Sequence, residues 1–356
     1  MSDFFKYFDR ISFVIMLLIS SLGIVLIFSA SHSNPSNFAL KQTIWLLVAI
    51  FIFFGVTLVK TTSLFKLAPL FFIATLFILV IQLIFGHFTA GVKSWIRTEL
   101  FNIQASELIK IPLTLIIAKF MTKIDALSWG NLFRLLLLIS PAFFLISIQP
   151  DLGTAFLLTS FLLMVLLLKG IRLSVLFTIL ILLSAIIIIS WNFLLKPYQK
   201  DRLISFINPE QYSQTIGYQV IQSKIAIGAG GLGGQGYLKG SQAQMKFLPA
   251  RHTDFILSVL GEEFGFLGIS ILLFLFFLFF YRQFKIRVTS DENFYYCYLF
   301  TGFILFQFLI NVLMSIGLFP IMGVPLPFVS YGGSSMITFF IGEAIIFRMK
   351  LDYYST

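Results

Sequence analysis

The segment QAQMKFLPARHTDFILSVLGEEFGFLG, residues 242–268, runs from a polar, proline-containing stretch into an apolar run that begins a membrane crossing. It sets Arg251, His252, Thr253, Asp254, Glu262 and Glu263 at the edge of hydrocarbon. Charged residues are only 11% of the chain. A carboxylate near hydrocarbon is costly unless it is paired, hydrated or used, so an ionisable residue in that position marks a functional site. The segment therefore predicts a membrane fold and places the expected reaction centre at Asp254, where a lipid-linked substrate would present its polar head. Arg251 and His252 are the neighbours able to satisfy that carboxylate if its role is purely structural.

The rest of the chain agrees with a membrane setting. Of 356 residues, 58% are hydrophobic and 45 are Phe, against roughly 45–50% apolar residues in soluble domains. The net charge of +10 comes from Lys and Arg in short loops between apolar runs, which is a topology signal. No basic stripe interleaves with a soluble fold, so no nucleic-acid partner is expected. Cys297 is the single cysteine, which excludes an intrachain disulfide and a Cys-based metal site. The first apolar run, from Ile11, lacks a small-residue cleavage site and reads as a retained span.

A span needs roughly 17–25 apolar residues. Ten candidates lie near 11–30, 43–59, 64–85, 104–121, 131–148, 152–168, 172–194, 253–280, 294–315 and 331–347. The expected fold is an all-α polytopic membrane protein, a single domain over 1–356, with a long extracytoplasmic loop at about 195–252 before helix 8. Most Lys and Arg, from Lys6 and Arg10 to Arg348 and Lys350, fall on the side of the N-terminus; the short loops opposite hold Lys41, Lys93 and Arg97. This bias predicts both termini in the cytoplasm. Within the long loop, Tyr218, Val220, Ile221, Ile225 and Ile227 suggest an interfacial helix on the bilayer, followed by a Gly-rich turn.

Other motifs divide between structural and chemical readings. GAGGLGGQG at 228–236 lacks the strand and helix of a dinucleotide loop and the Gly-Lys-Ser/Thr of a P-loop. It reads as a bend whose exposed amides would suit a phosphate or sugar. Glu107 and Lys110, three residues apart near Gln104 and Ser106, share a helical face and either neutralise each other or meet a pyrophosphate. Asp151, in QPDLGT at 149–154, fits a helix N-cap. GVPLPFVSYGGSS at 323–335 reads as an outer re-entrant turn with Ser334 and Ser335 capping the last span. His32, His87 and His252 match no zinc spacing. A hard cation, Mg²⁺ or Mn²⁺, held by Asp254, water and substrate phosphate fits the residue types, and no organic cofactor is expected.

Read together, KPYQKDR (196–202), IQSKIAIGAGG (221–231), GYLKGSQ (236–242), LPARHTDFILSVLGEEFGFLG (248–268), QPDLGT (149–154) and GVPLPFVSYGGSS (323–335) resemble the SEDS family of cell-shape and division proteins, which includes RodA and FtsW, and most closely its RodA branch. The resemblance covers most of the chain, from Gly91 through the last span. It implies a ten-span peptidoglycan glycosyltransferase that polymerises lipid II at the outer face of the bacterial cytoplasmic membrane. Its implied partners are a class B penicillin-binding protein and the elongation machinery, with membrane lipid around it. The family's essential aspartate, in its His-Thr-Asp-Phe motif, falls on Asp254, and its Ser-Glu-Leu-x-Lys motif on Ser106, Glu107, Leu108 and Lys110. Two positions depart from the pattern: Ala105 replaces a proline, and Ser94 stands where a basic residue precedes Trp95, with Lys93 one place earlier.

A sugar hydroxyl is a poor nucleophile at neutral pH, so a carboxylate that takes its proton in the transition state lowers the barrier. The leaving undecaprenyl pyrophosphate develops charge that cations stabilise. The expected roles are Asp254 as general base, with Lys110, Glu107, Arg251, Ser106, Lys93 and Trp95 binding substrate. The competing expectations are a transporter that flips lipid II and a non-catalytic scaffold. A carrier needs polar groups near the midplane, reachable from both sides, and only Glu107 and Lys110 approach that depth.

Overall fold

A computed structural model describes residues 7–32, 37–89, 92–97, 102–125, 127–170 and 216–355, with isolated positions between 177 and 206. For 87–89, 92–97, 102–103, 216 and 355 it describes the backbone only. In chain order the elements are α1 (Arg10–Ser31), α2 (Phe38–Thr57), α3 (Thr61–Phe85), β1 (His87–Thr89), β2 (Val92–Arg97), β3 (Asn102–Ile103), α4 (Ala105–Leu108), α5 (Lys110–Met121), α6 (Trp129–Ile148), α7 (Leu152–Lys169), α8 (Ile216–Gly230), α9 (Ser241–Gln244), α10 (Ile256–Phe284), α11 (Asp291–Ser315) and α12 (Gly333–Ser355). Seven of them, α1, α2, α3, α6, α7, α10 and α11, are long and apolar enough to cross a membrane. The protein is a predominantly helical, multi-pass membrane protein.

The remaining expected spans differ for identifiable reasons. The fourth is divided at Ile109 into α4 and α5. Pro112 has no amide to bond the carbonyl of Leu108, so the ladder fails one residue before Lys110. The tenth is α12, which carries Glu343, Arg348, Lys350 and Asp352 and is less apolar than the seven. The seventh, 172–194, lies outside the described residues apart from isolated positions. The 87–103 loop forms a small antiparallel sheet in the order β1-β2-β3, with Trp95 opposite His87 and Ile103 opposite Ile96.

Helix starts follow the sequence. Asp9 accepts from the Ser12 amide (3.1 Å), Asp151 from Thr154 (3.1 Å) and Ser290 from Asn293 (3.3 Å), each satisfying an amide that has no partner in its own helix. Helix α11 is the most enclosed of the apolar spans, packed by α5, α7, α10 and α12. Phe303 on it stacks on Phe161 of α7, and Phe308 meets Phe276 of α10. One end of the bundle is tied by Asp9 to Arg282 and Lys350, both at 2.6 Å. The other is tied by Gln104 to Asp151 and Ser334, and by Tyr331 to His252.

The Gly-rich turn does something the sequence reading did not anticipate. Helix α10 breaks at Gly265, with φ 65° and ψ −160°, and the 228–236 turn fills the break. Gln235 and Gly236 donate to the carbonyls of Glu262 (2.9 Å) and Glu263 (3.0 Å), while Phe266 and Leu267 donate back to Gly231 (2.8 Å) and Leu232 (3.1 Å). The amides of Gln235 and Gly236, expected to face a phosphate or sugar, clamp a helix instead. Helix α8 likewise buries Val220, Ser223 and Ala226 and packs mainly on α10, so this face of the expected interfacial helix meets protein while Ile225 is exposed.

Candidate active site

Asp254 occupies the turn that leads into α10, half-buried, with its carboxylate against Gly323: a Cβ added at Gly323 would lie 3.8 Å from Oδ2. Three successive carbonyls hold this turn. His252 O accepts from the Tyr331 amide (2.9 Å), Thr253 O from Ser330 Oγ (2.6 Å) and Asp254 O from Asn311 Nδ2 (2.9 Å). Asn311 Nδ2 also donates to Val324 O (2.7 Å), so one amide on α11 joins the Asp254 turn to the 323–332 loop. Gly323, at φ 70°, leaves bare backbone beside the carboxylate. The backbone of the turn is fixed by these bonds, and the Gly323 backbone lies on one side of the carboxylate.

The flanking residues are anchored as well. Arg251 is buried and its Nε donates to Ala30 O; burial lowers its pKa. His252 stacks on Phe38, with ring centroids 4.6 Å apart. Burial first, and the Arg251 charge second, hold its pKa below the ordinary 6.5, so the imidazole is neutral at pH 7. Glu262 and Glu263 are buried structural acids. Glu262 accepts from the Gln242 (2.7 Å) and Ala243 (3.0 Å) amides of α9, and Glu263 accepts from Ser29 Oγ.

A second polar cluster lies deeper. Lys110 Nζ contacts Glu107 Oε1 at 2.6 Å, with side-chain exposures of 0% and 4%, and sits over the rings of Phe303 and Phe339 at 4.9 and 5.7 Å. Phe303 and Asn311 are eight residues apart on α11, which is roughly 12 Å along a helix. Glu107 Oε2 accepts from Ser335 Oγ (2.8 Å), and Ser334 Oγ accepts from the Gln104 amide (3.0 Å). The two serines expected to cap the last span thus tie α12 to α4. Gln104 Nε2 donates to Asp151 Oδ2 (3.1 Å). Burial, the largest influence, raises the Asp151 pKa, with the Glu107 charge adding to it. Ser106 is buried, and among the described residues its hydroxyl has no hydrogen-bond partner.

The structure therefore brings Glu107, Lys110 and Asp151 into one cluster and sets Asp254 and Arg251 above it, with the 323–335 segment touching both levels. Lys93 and Trp95 lie on β2, where side chains fall outside the description. Among the described residues, no three His, Cys, Asp or Glu side chains converge as metal ligands. A divalent cation at Asp254 would therefore take most of its shell from water and substrate phosphate. Sequence reasoning missed Asn311, and took Gly323 and Ser330 only as parts of an outer re-entrant turn. Its one available signal was Asn311 itself, an amide within the apolar run FLINVLM.

With that geometry in place, known proteins show close similarity. Residues 9–354 match the FtsW/RodA/SpoVE family model, described as cell cycle protein. The chain is 40% identical over 273 residues to the peptidoglycan glycosyltransferase MrdB of Escherichia coli K12, covering 76% of this chain and 74% of that one. It is 30% identical to the peptidoglycan glycosyltransferase RodA of Treponema pallidum, covering 96% and 97%. Its identity to a probable FtsW of Trichlorobacter lovleyi is 34%, covering 96% and 93%. Its fold matches a chain from work on how a peptidoglycan synthase complex coordinates polymerization and crosslinking, with a TM-score of 0.86 and 27% identity over 98% and 99%. The rod shape determining protein RodA of Thermus thermophilus matches with a TM-score of 0.72 and 25% identity over 98% of both chains.

Proposed function

The chain belongs to the FtsW/RodA/SpoVE family of cell cycle proteins, and from that premise we propose that it is a peptidoglycan glycosyltransferase joining lipid II into glycan strands, with Asp254 as general base. The observation that carries this reading is the Asp254 turn: the carbonyls of His252, Thr253 and Asp254 are each bonded, and the half-buried Asp254 sets its carboxylate beside Gly323. A base must be rigidly placed within hydrogen-bond reach of the proton it removes. Here the rigidity is supplied by α11 and the 323–332 loop, and Gly323 leaves room for a sugar to approach.

In the reaction, Asp254 takes the proton from the C4 hydroxyl of the acceptor sugar as its oxygen attacks the anomeric carbon of the donor. Undecaprenyl pyrophosphate leaves, and one direct displacement inverts the anomeric centre. Arg251, above the deeper cluster, is suited to the pyrophosphate's charge. Lys110 faces Glu107 and two phenyl rings, so its contact with pyrophosphate requires α5 and α12 to part. Asp254 would be the protein ligand of Mg²⁺ or Mn²⁺, with water and substrate phosphate as the others, and the cation would supply charge stabilisation for the leaving diphosphate. The setting is the bacterial inner membrane, with both termini cytoplasmic and Asp254 outside. The elongation role rests on the resemblance of the motifs to the RodA branch, alongside the 40% identity to MrdB over 273 residues. A class B penicillin-binding protein as partner follows the likeness to a synthase complex that polymerises and crosslinks.

The buried Glu107–Lys110 pair favours one other reading, a lipid II transporter, since a membrane-embedded ion pair is a common mark of a transport path. The test is glycan-strand formation from fluorescent lipid II by the purified chain, alone and with its partner, with Mg²⁺ and Mn²⁺ added or chelated. Wild type gives a ladder, and Asp254→Asn, folded by thermal melting, gives none. A full ladder from that variant refutes the base assignment. Lipid II movement in proteoliposomes without any ladder makes the transporter the better account.

A further inference from the structure

At the end of the bundle opposite Asp254, the first helix cap, the end of α10 and the last turns of α12 converge on a cleft of about 190 Å³ lined by Asp9, Tyr281, Arg282, Lys285, Ile286, Arg287, Lys350 and Tyr354. Four cations meet one carboxylate there. Asp9 is shared by Arg282 and Lys350 at 2.6 Å each. Burial alone would raise the Asp9 carboxyl, but Lys350 and Ser12 bring its pKa down to about 2, so it stays ionised and its charge is fully committed. Lys285 sits over the Tyr281 ring at 4.4 Å. Arg287 is exposed, and among the described residues no carboxylate bonds either Lys285 or Arg287. Arg287 and Asp291 also line an adjoining cleft, and no bond between the two is formed. Among the described residues, the pairs of Asp9 with Arg282 and Lys350 leave Lys285 and Arg287 as a surplus of positive charge at the cleft.

We propose that this cleft binds the phosphate head group of an anionic phospholipid, whose acyl chains lie along the exposed apolar face of α10. Tyr281 and Phe277, one turn apart and stacked at 6.1 Å, continue upward through exposed Phe274, Ile271 and Leu267. That apolar stripe, at helical spacing, runs directly into the cationic cleft. A free phosphate would use only the cations, whereas a lipid uses both parts of the surface. Basic clefts between membrane helices, at the side rich in Lys and Arg, suit such head groups. The site is remote from Asp254 and does not depend on the glycosyltransferase reading.

The experiment is native mass spectrometry of the delipidated full chain titrated with phosphatidylglycerol or phosphatidylcholine. Wild type is expected to retain phosphatidylglycerol selectively. Lys285→Gln/Arg287→Gln, which leaves the Asp9 bonds intact, should weaken retention about fivefold per cation removed, hence roughly 25-fold. Lys60→Gln/Lys66→Gln, removing equal charge from exposed positions at the start of α3 outside the cleft, should leave it unchanged. Equal loss in both double variants, or no lipid selectivity in wild type, overturns the proposal. Displacement of the lipid by millimolar inorganic phosphate as readily as by phosphatidylglycerol overturns the lipid assignment in favour of a free anion.

Discussion

At the scale of single residues, the site divides into a half-buried acid, Asp254, and a fully buried ion pair, Glu107 and Lys110. Glu107 and Lys110 are sealed from solvent, and removing one partner of a buried pair leaves an uncompensated charge. Lys110→Met is therefore expected to destabilise the protein by about 3–5 kcal/mol, with Glu107→Gln/Lys110→Met recovering part of the loss, because both charges are then gone. A thermal-unfolding double-mutant cycle in detergent reads this directly, and additive losses would contradict it. His252 gives a pH test. Its pKa is lowered in the folded state, so between that value and 6.5 the unfolded chain binds the extra proton. Stability contributed by the neutral ring is present above 6.5 and is lost as pH falls toward the lowered value. His252→Gln should flatten the slope of melting temperature against pH in that window. The place of Asp254, in the turn that opens α10, was legible in the sequence because a polar stretch there runs straight into an apolar span. Asn311 was not, because its bond to Asp254 O joins residues 57 apart and a lone amide has no periodic signal.

At the scale of elements, the Gly-rich turn and the break in α10 are one device made from two distant sequences. A Cβ at Gly234 would lie 2.1 Å from Glu263 O, and one at Gly265 would lie 2.4 Å from Gly234 N. Both residues also have positive φ, which non-glycine side chains adopt at a cost. Gly234→Ala and Gly265→Ala should each lose roughly 2 kcal/mol or more from strain and overpacking. Gly233→Ala, with open space around it, should be near neutral. Faster proteolysis of the 228–240 segment in the first two and not the third would show that the turn has left the helix. The clamp fixes the residues after Glu262 and Glu263, and those acids fix α9 and α1, so its loss should also loosen the segment that carries Asp254. Helix positions were readable from apolar run lengths, and the divided fourth span is explained by Pro112. The clamp was not readable, since glycine spacing alone does not reveal which backbone it will touch.

At the scale of the whole molecule, the two ends differ in chemistry. The Asp254 end collects buried acids and backbone-donated bonds, whereas the Asp9 end collects Arg282, Lys285, Arg287, Arg348 and Lys350. Helix α11 separates them by its 25 residues, roughly 38 Å and enough to cross a bilayer. Chains retain Lys and Arg on the cytoplasmic side in short loops, and the proposed orientation follows that bias, with the Asp9 end inside and the Asp254 end outside. In that proposed orientation α8, α9 and the Asp254 turn are outside, where a lipid-linked sugar already delivered across the membrane can be polymerised. Alkaline phosphatase fused after Lys239 is expected to be active, because it folds only once exported, and a fusion after Lys123 inactive; a fluorescent protein after Thr356 should light up. The reverse pattern would put Asp254 on the cytoplasmic side, and the base it supplies would then face precursor that has not yet been exported. An orientation inverted in this way would leave the acid's geometry intact but remove its substrate, so the fusion pattern tests the function as well as the topology.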